Sequence, residues 1–218
     1  MSASPETITR IFEILDSLYP WDGRCFLNHE TPWQLLFATI LSAQCTDDRV
    51  NMVTPVLFKK YPTLESFSDA KLPALEKVIH STGFFRAKAR HLQESARKLL
   101  EVHSGQLPSD IEALTALSGV GRKTANVVRG HIFGIPSIVV DTHVMRVSRR
   151  LGLTSHKDPV KIEYELMEKL PQTHWIRCNQ QLITHGRKVC AARSPRCEEC
   201  KLQDHCHEKE TTAHGNTQ

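Results

Sequence analysis

Apolar residues recur at helical spacing along most of the chain. In residues 8–19 they fall three, four and seven positions apart, which is the period of one face of an α-helix. The same spacing, with helix-start residues, predicts further helices over about 31–41, 71–81, 85–103, 110–117, 121–131, 141–151, 158–170 and 173–186. Pro55 and Pro62 are expected to divide the region after residue 46 into short helices. Strand-like sequence is limited to residues 138–140, so the pattern predicts an all-α fold.

Positive charge is concentrated in one third of the chain. The net charge is +4, but residues 84–150 hold 11 Lys and Arg against 5 Asp and Glu. This excess favours a polyanionic partner, although a solvated helix face explains it equally well. The longest apolar run, residues 35–41, is too short to cross a bilayer, and the first residues lack the apolar stretch of a signal peptide. We therefore expect a cytoplasmic protein with no membrane partner.

Four of the seven cysteines lie close together near the C-terminus. They have the spacing C-x6-C-x2-C-x5-C and are Cys190, Cys197, Cys200 and Cys206. Four thiols within seventeen residues of sparsely apolar sequence indicate a metal site. The compact spacing favours an iron–sulfur cluster, but structural zinc remains open, as does His207 as a substitute ligand. Arg193 and Arg196 lie in the six-residue gap, where they serve either phosphate contact or solubility.

The stretch LSGVGRKTANVV at residues 117–128 predicts a helix, a tight turn and a second helix. The turn is formed by Gly119, Val120 and Gly121, and Arg122 follows it. Backbone N–H groups of residues 120–122 can hold one phosphate at the start of the second helix. The alternative is a turn that uses glycine only for its backbone angles.

Lys123 stands in the first turn of the second helix. The stretch is not a Walker A loop, because Arg122 separates Gly121 from this lysine, and it lacks the third glycine of a dinucleotide fingerprint. A helix N-terminus is unfavourable for a cation. Lys123 therefore points into solvent, meets an anion, or has a charged form that is poorly tolerated.

Three motifs occur in the order found in one protein family. LSGVGRKTANVV, VVDTH at 139–143 and the four cysteines together resemble the endonuclease III family of DNA glycosylases with abasic-site lyase activity. The stretches LSAQCT at 41–46 and STG at 81–83 extend the resemblance over roughly residues 8–206.

The resemblance implies a helix-hairpin-helix fold of two all-α domains, with DNA entering a groove between them. A six-helix bundle would cover residues 28–135, including the hairpin at about 110–131. Residues 1–27 and 136–206 would form the second domain, whose loop at 190–206 surrounds a [4Fe–4S] cluster. Residues 207–218 are expected to form a disordered tail, and the protein is expected to be a monomer.

By the same resemblance, Lys123 matches the catalytic lysine and Asp141 the catalytic aspartate. Asp141 also begins a helix, so its position alone would indicate an N-cap, and the two roles are compatible. The four cysteines would bind the cluster. Ser118 stands where the family usually has proline, which is expected to loosen the turn.

The remaining family positions concern DNA contact. Gln44 would fill the hole left by the extruded base, although a polar helix end is the alternative. The residue after Ser-Thr-Gly would wedge the opposite strand, which indicates Phe84 or its neighbour Phe85. The hairpin and the basic cysteine loop, rather than further family positions, indicate that the DNA backbone would be held by Gly119, Val120, Gly121, Arg122, Arg193 and Arg196.

The implied function is base excision repair. The enzyme would remove oxidised pyrimidines from double-stranded DNA of the nucleoid through a Schiff base on Lys123, assisted by Asp141. The adenine-mismatch branch is one alternative, but it generally lacks the lysine and has an added C-terminal domain. A non-catalytic helix-hairpin-helix module with structural zinc is another.

Overall fold

The computed structural model describes residues 3–208 and is helical throughout. Its helices are α1 Pro5–Leu18, α2 Pro32–Leu41, α3 Asp47–Lys60, α4 Leu64–Ser68, α5 Leu72–Ile79, α6 Phe85–His103, α7 Ile111–Thr115, α8 Arg122–Phe133, α9 Thr142–Arg150, α10 Pro159–Lys169 and α11 Trp175–Lys188. Short 3₁₀ turns cover His80–Thr82, Gln172–His174, Cys197–Glu199 and Gln203–His205. The described residues contain no strand, which confirms the predicted all-α class.

Side-chain caps set several of the helix starts. The side chains of six residues each accept the N–H of the residue three positions later, namely Ser4, Thr46, Thr63, Asp110, Asp141 and Asp158. Such a cap satisfies one of the N–H groups that the first helical turn leaves without an acceptor.

The prediction that Pro55 breaks a helix is wrong. Helix α3 continues through this residue. Proline costs an interior hydrogen bond and strains the preceding turn, but tertiary packing can outweigh that cost. Here Val50, Val53 and Leu57 are buried on one face of α3.

The described residues divide into two compact units. The bundle unit, Arg24–Ile135, contains α2 to α8. Every residue of α2 from Gln34 to Leu41 is buried, which makes this helix the centre of the unit. Phe37 of α2 and Phe67 of α4 are fully buried, with ring centroids 4.8 Å apart in an edge-to-face arrangement.

The terminal unit consists of the described residues before Arg24 and after Ile135. It contains α1, α9, α10, α11 and the cysteine loop, and its buried apolar residues include Ile11, Leu15, Val144 and Leu182. Residues 138–140 are buried and are not assigned to a strand, and the Val139 N–H donates to Asn179 Oδ1 at 3.0 Å.

Of the predicted tail, residues 209–218 lie outside the described part of the chain. The two preceding residues contact Arg150: the His207 N–H donates to its carbonyl at 2.8 Å, and Glu208 Oε2 lies 2.7 Å from its Nε. Among the described residues, every helix is too short or too polar to span a bilayer.

Candidate active site

The hairpin turn between α7 and α8 requires glycine at its first position. Gly119 has φ of 74°, in the left-handed region that L side chains rarely adopt. A Cβ there would also lie 2.8 Å from His91 Cβ on α6. Gly121 has an extended backbone and open space around it, so its small size leaves the start of α8 accessible.

Ser118 fixes this turn to α6. Its Oγ donates to Glu94 Oε2 at 2.6 Å and lies 2.9 Å from His91 Nδ1. Its carbonyl accepts from Ser95 Oγ at 2.8 Å. These hydrogen bonds anchor the turn where the family usually has a proline ring, so they act against the expected loosening of the turn.

Only part of the predicted phosphate cradle faces outward. Val120 is buried in the core of the bundle unit, and its N–H donates to the Leu117 carbonyl at 3.2 Å. Gly121 is exposed at the N-terminus of α8. Since the first N–H groups of a helix lack acceptors within it, the N–H groups that could face an anion begin at Gly121 rather than at Val120.

Lys123 is the second residue of α8 and is exposed. The buried face of the helix is formed by Ala125, Asn126 and Val128. This face orients α8 so that Lys123 and Gly121 both reach the surface, which places an amine beside an anion-binding helix end.

Asp141 in the terminal unit is half-buried and caps α9. Its Oδ1 accepts the Val144 N–H at 2.8 Å, which holds the carboxylate in one orientation. Two residues later, His143 Nδ1 lies 3.1 Å from Arg146 Nη2. Burial lowers the pKa of His143 despite the neighbouring Asp141, so the neutral ring is favoured.

Arg146 connects this region to the cysteine loop. Its Nη2 donates to the Gly186 carbonyl at 2.9 Å and its Nε to the Cys190 carbonyl at 3.0 Å. The segment that carries Asp141 and the segment that carries the first loop cysteine are therefore held by one side chain, which the sequence analysis did not single out.

The four loop cysteines line one cavity of about 150 Å³. Within the part of the chain that the structure describes, no three His, Cys, Asp or Glu side chains are close enough to hold a single metal ion. Zinc would need all four sulfurs about 2.3 Å from one centre. A cavity lined by four thiols suits a multi-atom cluster instead.

The environment of the thiols fits a metal centre. Burial and the charges of neighbouring cysteines raise the pKa of Cys200 and of Cys206, so these thiolates need a cationic centre among them. Arg150 Nη1 donates to Cys190 Sγ at 3.3 Å. His207 does not line the cavity, because its ring lies against Gly152, where a Cβ would be 2.5 Å from it.

The two arginines of the cysteine loop differ. Arg196 Nη1 lies 3.2 Å from Glu199 Oε2, and its Nη2 donates to the Lys188 carbonyl, so it closes the loop. Arg193 is exposed at the loop tip, beside Ser194 with φ of 50°.

The two predicted DNA-inserting residues are exposed and share an unusual backbone. Gln44 has φ of 52° and Phe84 has φ of 47°, both in the left-handed region. Phe84 is 66% exposed. Phe85 is instead partly buried against the core and has its ring centroid 4.5 Å from that of His80. Of the two phenylalanines, Phe84 is the one available at the surface.

Comparison with known proteins gives consistent matches over most of the chain. Residues 37–172 match the HhH-GPD superfamily base excision DNA repair protein family, and residues 190–206 match the iron-sulfur binding domain of endonuclease III. The chain is 50% identical to endonuclease III of Synechocystis sp. over 94% of both chains. It is 41% identical to endonuclease III of Escherichia coli, over 84% of this chain and 87% of that one.

The fold of the chain also matches solved structures. A trapped covalent intermediate of an endonuclease III with DNA superposes with a TM-score of 0.92 at 40% identity, covering 97% of this chain and 99% of that one. A thermostable thymine-DNA glycosylase superposes with a TM-score of 0.83 at 23% identity, covering 94% and 98%, which is a likeness of fold alone.

Proposed function

Because the chain belongs to the endonuclease III family of helix-hairpin-helix repair proteins, we propose that its reaction proceeds through Lys123 and Asp141. The protein is a base excision repair DNA glycosylase with abasic-site lyase activity. The observation that carries the residue assignment is the exposed amine of Lys123 in the first turn of α8, beside the accessible Gly121.

In the first step, the neutral amine of Lys123 attacks the sugar C1′ of the damaged nucleotide. The N–C1′ bond forms, the bond from C1′ to the base breaks, and the base leaves with the electron pair and takes up a proton. Asp141 accepts the proton from the amine or stabilises the positive charge that develops on the sugar.

In the second step, the bond from C1′ to the ring oxygen breaks, the ring oxygen takes up a proton, and C1′ forms an imine with Lys123. A base then takes a proton from C2′, a C2′–C3′ double bond forms, and the 3′ phosphate leaves with the electron pair of the broken C3′–oxygen bond. The capped carboxylate of Asp141 is pre-oriented for a role in proton transfer, because one oxygen is held by the Val144 N–H.

The proposed substrate is an oxidised pyrimidine in double-stranded DNA. Gln44 occupies the space of the extruded base and Phe84 enters the opposite strand, since both are exposed loop residues. Gly121, Arg122 and Arg193 contact phosphates. We further propose that the enzyme acts as a monomer on DNA of the nucleoid, since one chain carries the hairpin and both catalytic residues.

The enzyme carries a [4Fe–4S] cluster, and we propose its four ligands to be Cys190, Cys197, Cys200 and Cys206. When bound, the cluster supplies the positive charge that four crowded thiolates require. Arg150 and Arg146 hold the first ligand segment through its sulfur and its carbonyl. Purified protein should be brown and contain iron rather than stoichiometric zinc.

Borohydride trapping on a duplex with an oxidised pyrimidine or an abasic site tests the lysine assignment. Borohydride reduces the imine to a stable amine, so we expect a covalent protein–DNA adduct in the wild type and none in Lys123→Ala. Lys161→Ala is the matched control, because Lys161 is also an exposed lysine in the first turn of a helix. An undiminished adduct in Lys123→Ala would exclude the assignment.

A further inference from the structure

One lysine of the bundle unit is almost completely buried. Lys88 on α6 is 3% exposed, and its Nζ donates to the Leu41 carbonyl at 2.8 Å and to the Thr82 carbonyl at 2.7 Å. Burial lowers the pKa of Lys88, which reflects the cost of keeping an ammonium away from water. An apolar side chain at the same place would avoid that cost.

Both acceptor carbonyls end a helix. Leu41 is the last residue of α2, and Thr82 is the last residue of the 3₁₀ turn His80–Thr82. A helix C-terminus carries partial negative charge on its unpaired carbonyls, which favours a cation there. Lys88 therefore joins the ends of two separate helices through one ammonium group.

Each of these helix ends leads directly into one of the proposed DNA-inserting residues. Gln44 follows Leu41 by three positions, in a turn closed by a hydrogen bond from the Cys45 N–H to the Ser42 carbonyl at 3.1 Å. Phe84 follows Thr82 by two positions and forms the N-cap of α6. Both have positive φ, a conformation that persists only where the surroundings impose it.

We infer that Lys88 is a positioning residue for base extrusion, which holds the Gln44 loop and the Phe84 loop in a fixed relation so that both enter the duplex together. The inference rests on the proposed function of those two loops. Lys88 does not touch substrate, because its ammonium is buried and bonded to backbone carbonyls. Its loss should therefore impair insertion and leave the chemistry at Lys123 intact.

The test compares a reaction that needs extrusion with one that does not. In Lys88→Met, single-turnover excision of an oxidised pyrimidine from duplex DNA should fall on the order of 10²-fold, the effect of misplacing positioning groups by about an ångström. Borohydride trapping on a single-stranded abasic oligonucleotide should stay within about twofold of wild type, since no base has to be replaced. Lys88→Arg, which keeps charge and donors, should recover part of the duplex activity.

Lys169→Met is the matched control for the loss of a lysine–carbonyl bond. Lys169 Nζ donates to the Leu153 carbonyl at 2.7 Å and to Glu165 Oε1 at 2.6 Å, and these residues belong to the terminal unit, whereas both loops belong to the bundle unit. The Lys169→Met substitution should lower the melting temperature without changing the ratio of duplex excision to single-strand trapping. If Lys88→Met does not fold, Lys88→Gln gives the same comparison, because its shorter side chain cannot span both carbonyls.

Equal losses in both reactions, or unchanged duplex excision in a folded Lys88 variant, would overturn the inference. Failure of the proposed function has a different signature. In that case wild-type protein would form no adduct with the single-stranded abasic oligonucleotide, whatever residue occupies position 88.

Discussion

Phe84 has a backbone conformation that is costly for its residue type. A non-glycine residue in the left-handed region costs about 1–2 kcal/mol, and a bulky aromatic has no local hydrogen bond to offset this. Its side chain is mostly exposed, so burial gives little compensation. A strained, exposed aromatic residue is more readily explained by function than by stability.

The Phe84→Gly substitution should separate stability from activity. Glycine adopts the observed φ without strain, but its folding costs about 0.5–1 kcal/mol more in backbone entropy. Because the relieved strain is larger, the free energy of unfolding should increase by roughly 0.5–1 kcal/mol. Excision from duplex DNA should fall by roughly tenfold, because base–aromatic stacking is lost. Thermal melting and single-turnover kinetics measure the two effects.

Phe85→Ala provides the contrast. This neighbour packs against the core and the His80 ring, so its truncation should cost about 2 kcal/mol of stability. If Phe84→Gly instead melted well below wild type while excising normally, Phe84 would be a structural residue and not the wedge.

Single residues also mark the limit of the sequence analysis. Lys88 lies on the apolar face of α6, one helical turn before Leu92 and next to Ala89. A lysine at such a position predicts a buried ammonium group. The hydrogen-bond acceptors of Lys88 could not be predicted from the sequence, because they are backbone carbonyls and carry no side-chain signal. Ser118 is similar, since its anchoring depends on how α6 packs against the hairpin.

At the scale of elements, pattern and local chemistry predicted most helices well. The caps at Asp110, Asp141 and Asp158 were visible because such residues bond N–H groups only three positions away. The continuation of α3 through Pro55 could not be predicted from the sequence, because it depends on tertiary packing, which the periodicity of apolar residues does not describe. The cysteine loop was recognisable from spacing, but the different roles of its arginines were not.

Two arginine substitutions in the cysteine loop should distinguish DNA binding from stability of the loop. Arg193→Ala removes an exposed cation at the tip, so DNA binding should weaken alike for all duplexes, and the slope of log Kd against log salt should decrease by about one. Arg196→Ala removes the contacts to Glu199 and to the Lys188 carbonyl instead. It should leave the salt slope nearly unchanged and speed the loss of iron to a chelator.

Fluorescence anisotropy across a salt series and iron release followed by visible absorption measure these two properties. The assignment fails if Arg193→Ala affects one lesion type only, because that residue would then read the base. It also fails if both variants change the salt slope equally.

For the whole molecule, the important feature is that each unit has its own buried apolar residues. The bundle core runs from Leu27 to Val128 and includes no residue of the terminal unit. The cysteine loop is different, because among its described residues from 190 onward Leu202 is the fully buried apolar side chain. Its shape therefore depends on the metal cluster and on the contacts from Arg146 and Arg150 to Cys190.

Removing the iron under reducing conditions should accordingly unfold one part of the protein and spare another. We expect backbone amides of the 190–206 loop to lose protection from hydrogen exchange, and the loss to extend into α9, where Arg146 and Arg150 lose their loop partners. Amides of α2 to α8 should keep their protection, since the bundle core contains no cluster ligand. Hydrogen exchange with mass spectrometry on holoenzyme, iron-depleted protein and protein reconstituted with iron and sulfide measures this. Reconstitution should restore the loop, whereas uniform loss across both units, or a loop that stays protected without iron, would mean that packing alone supports the loop.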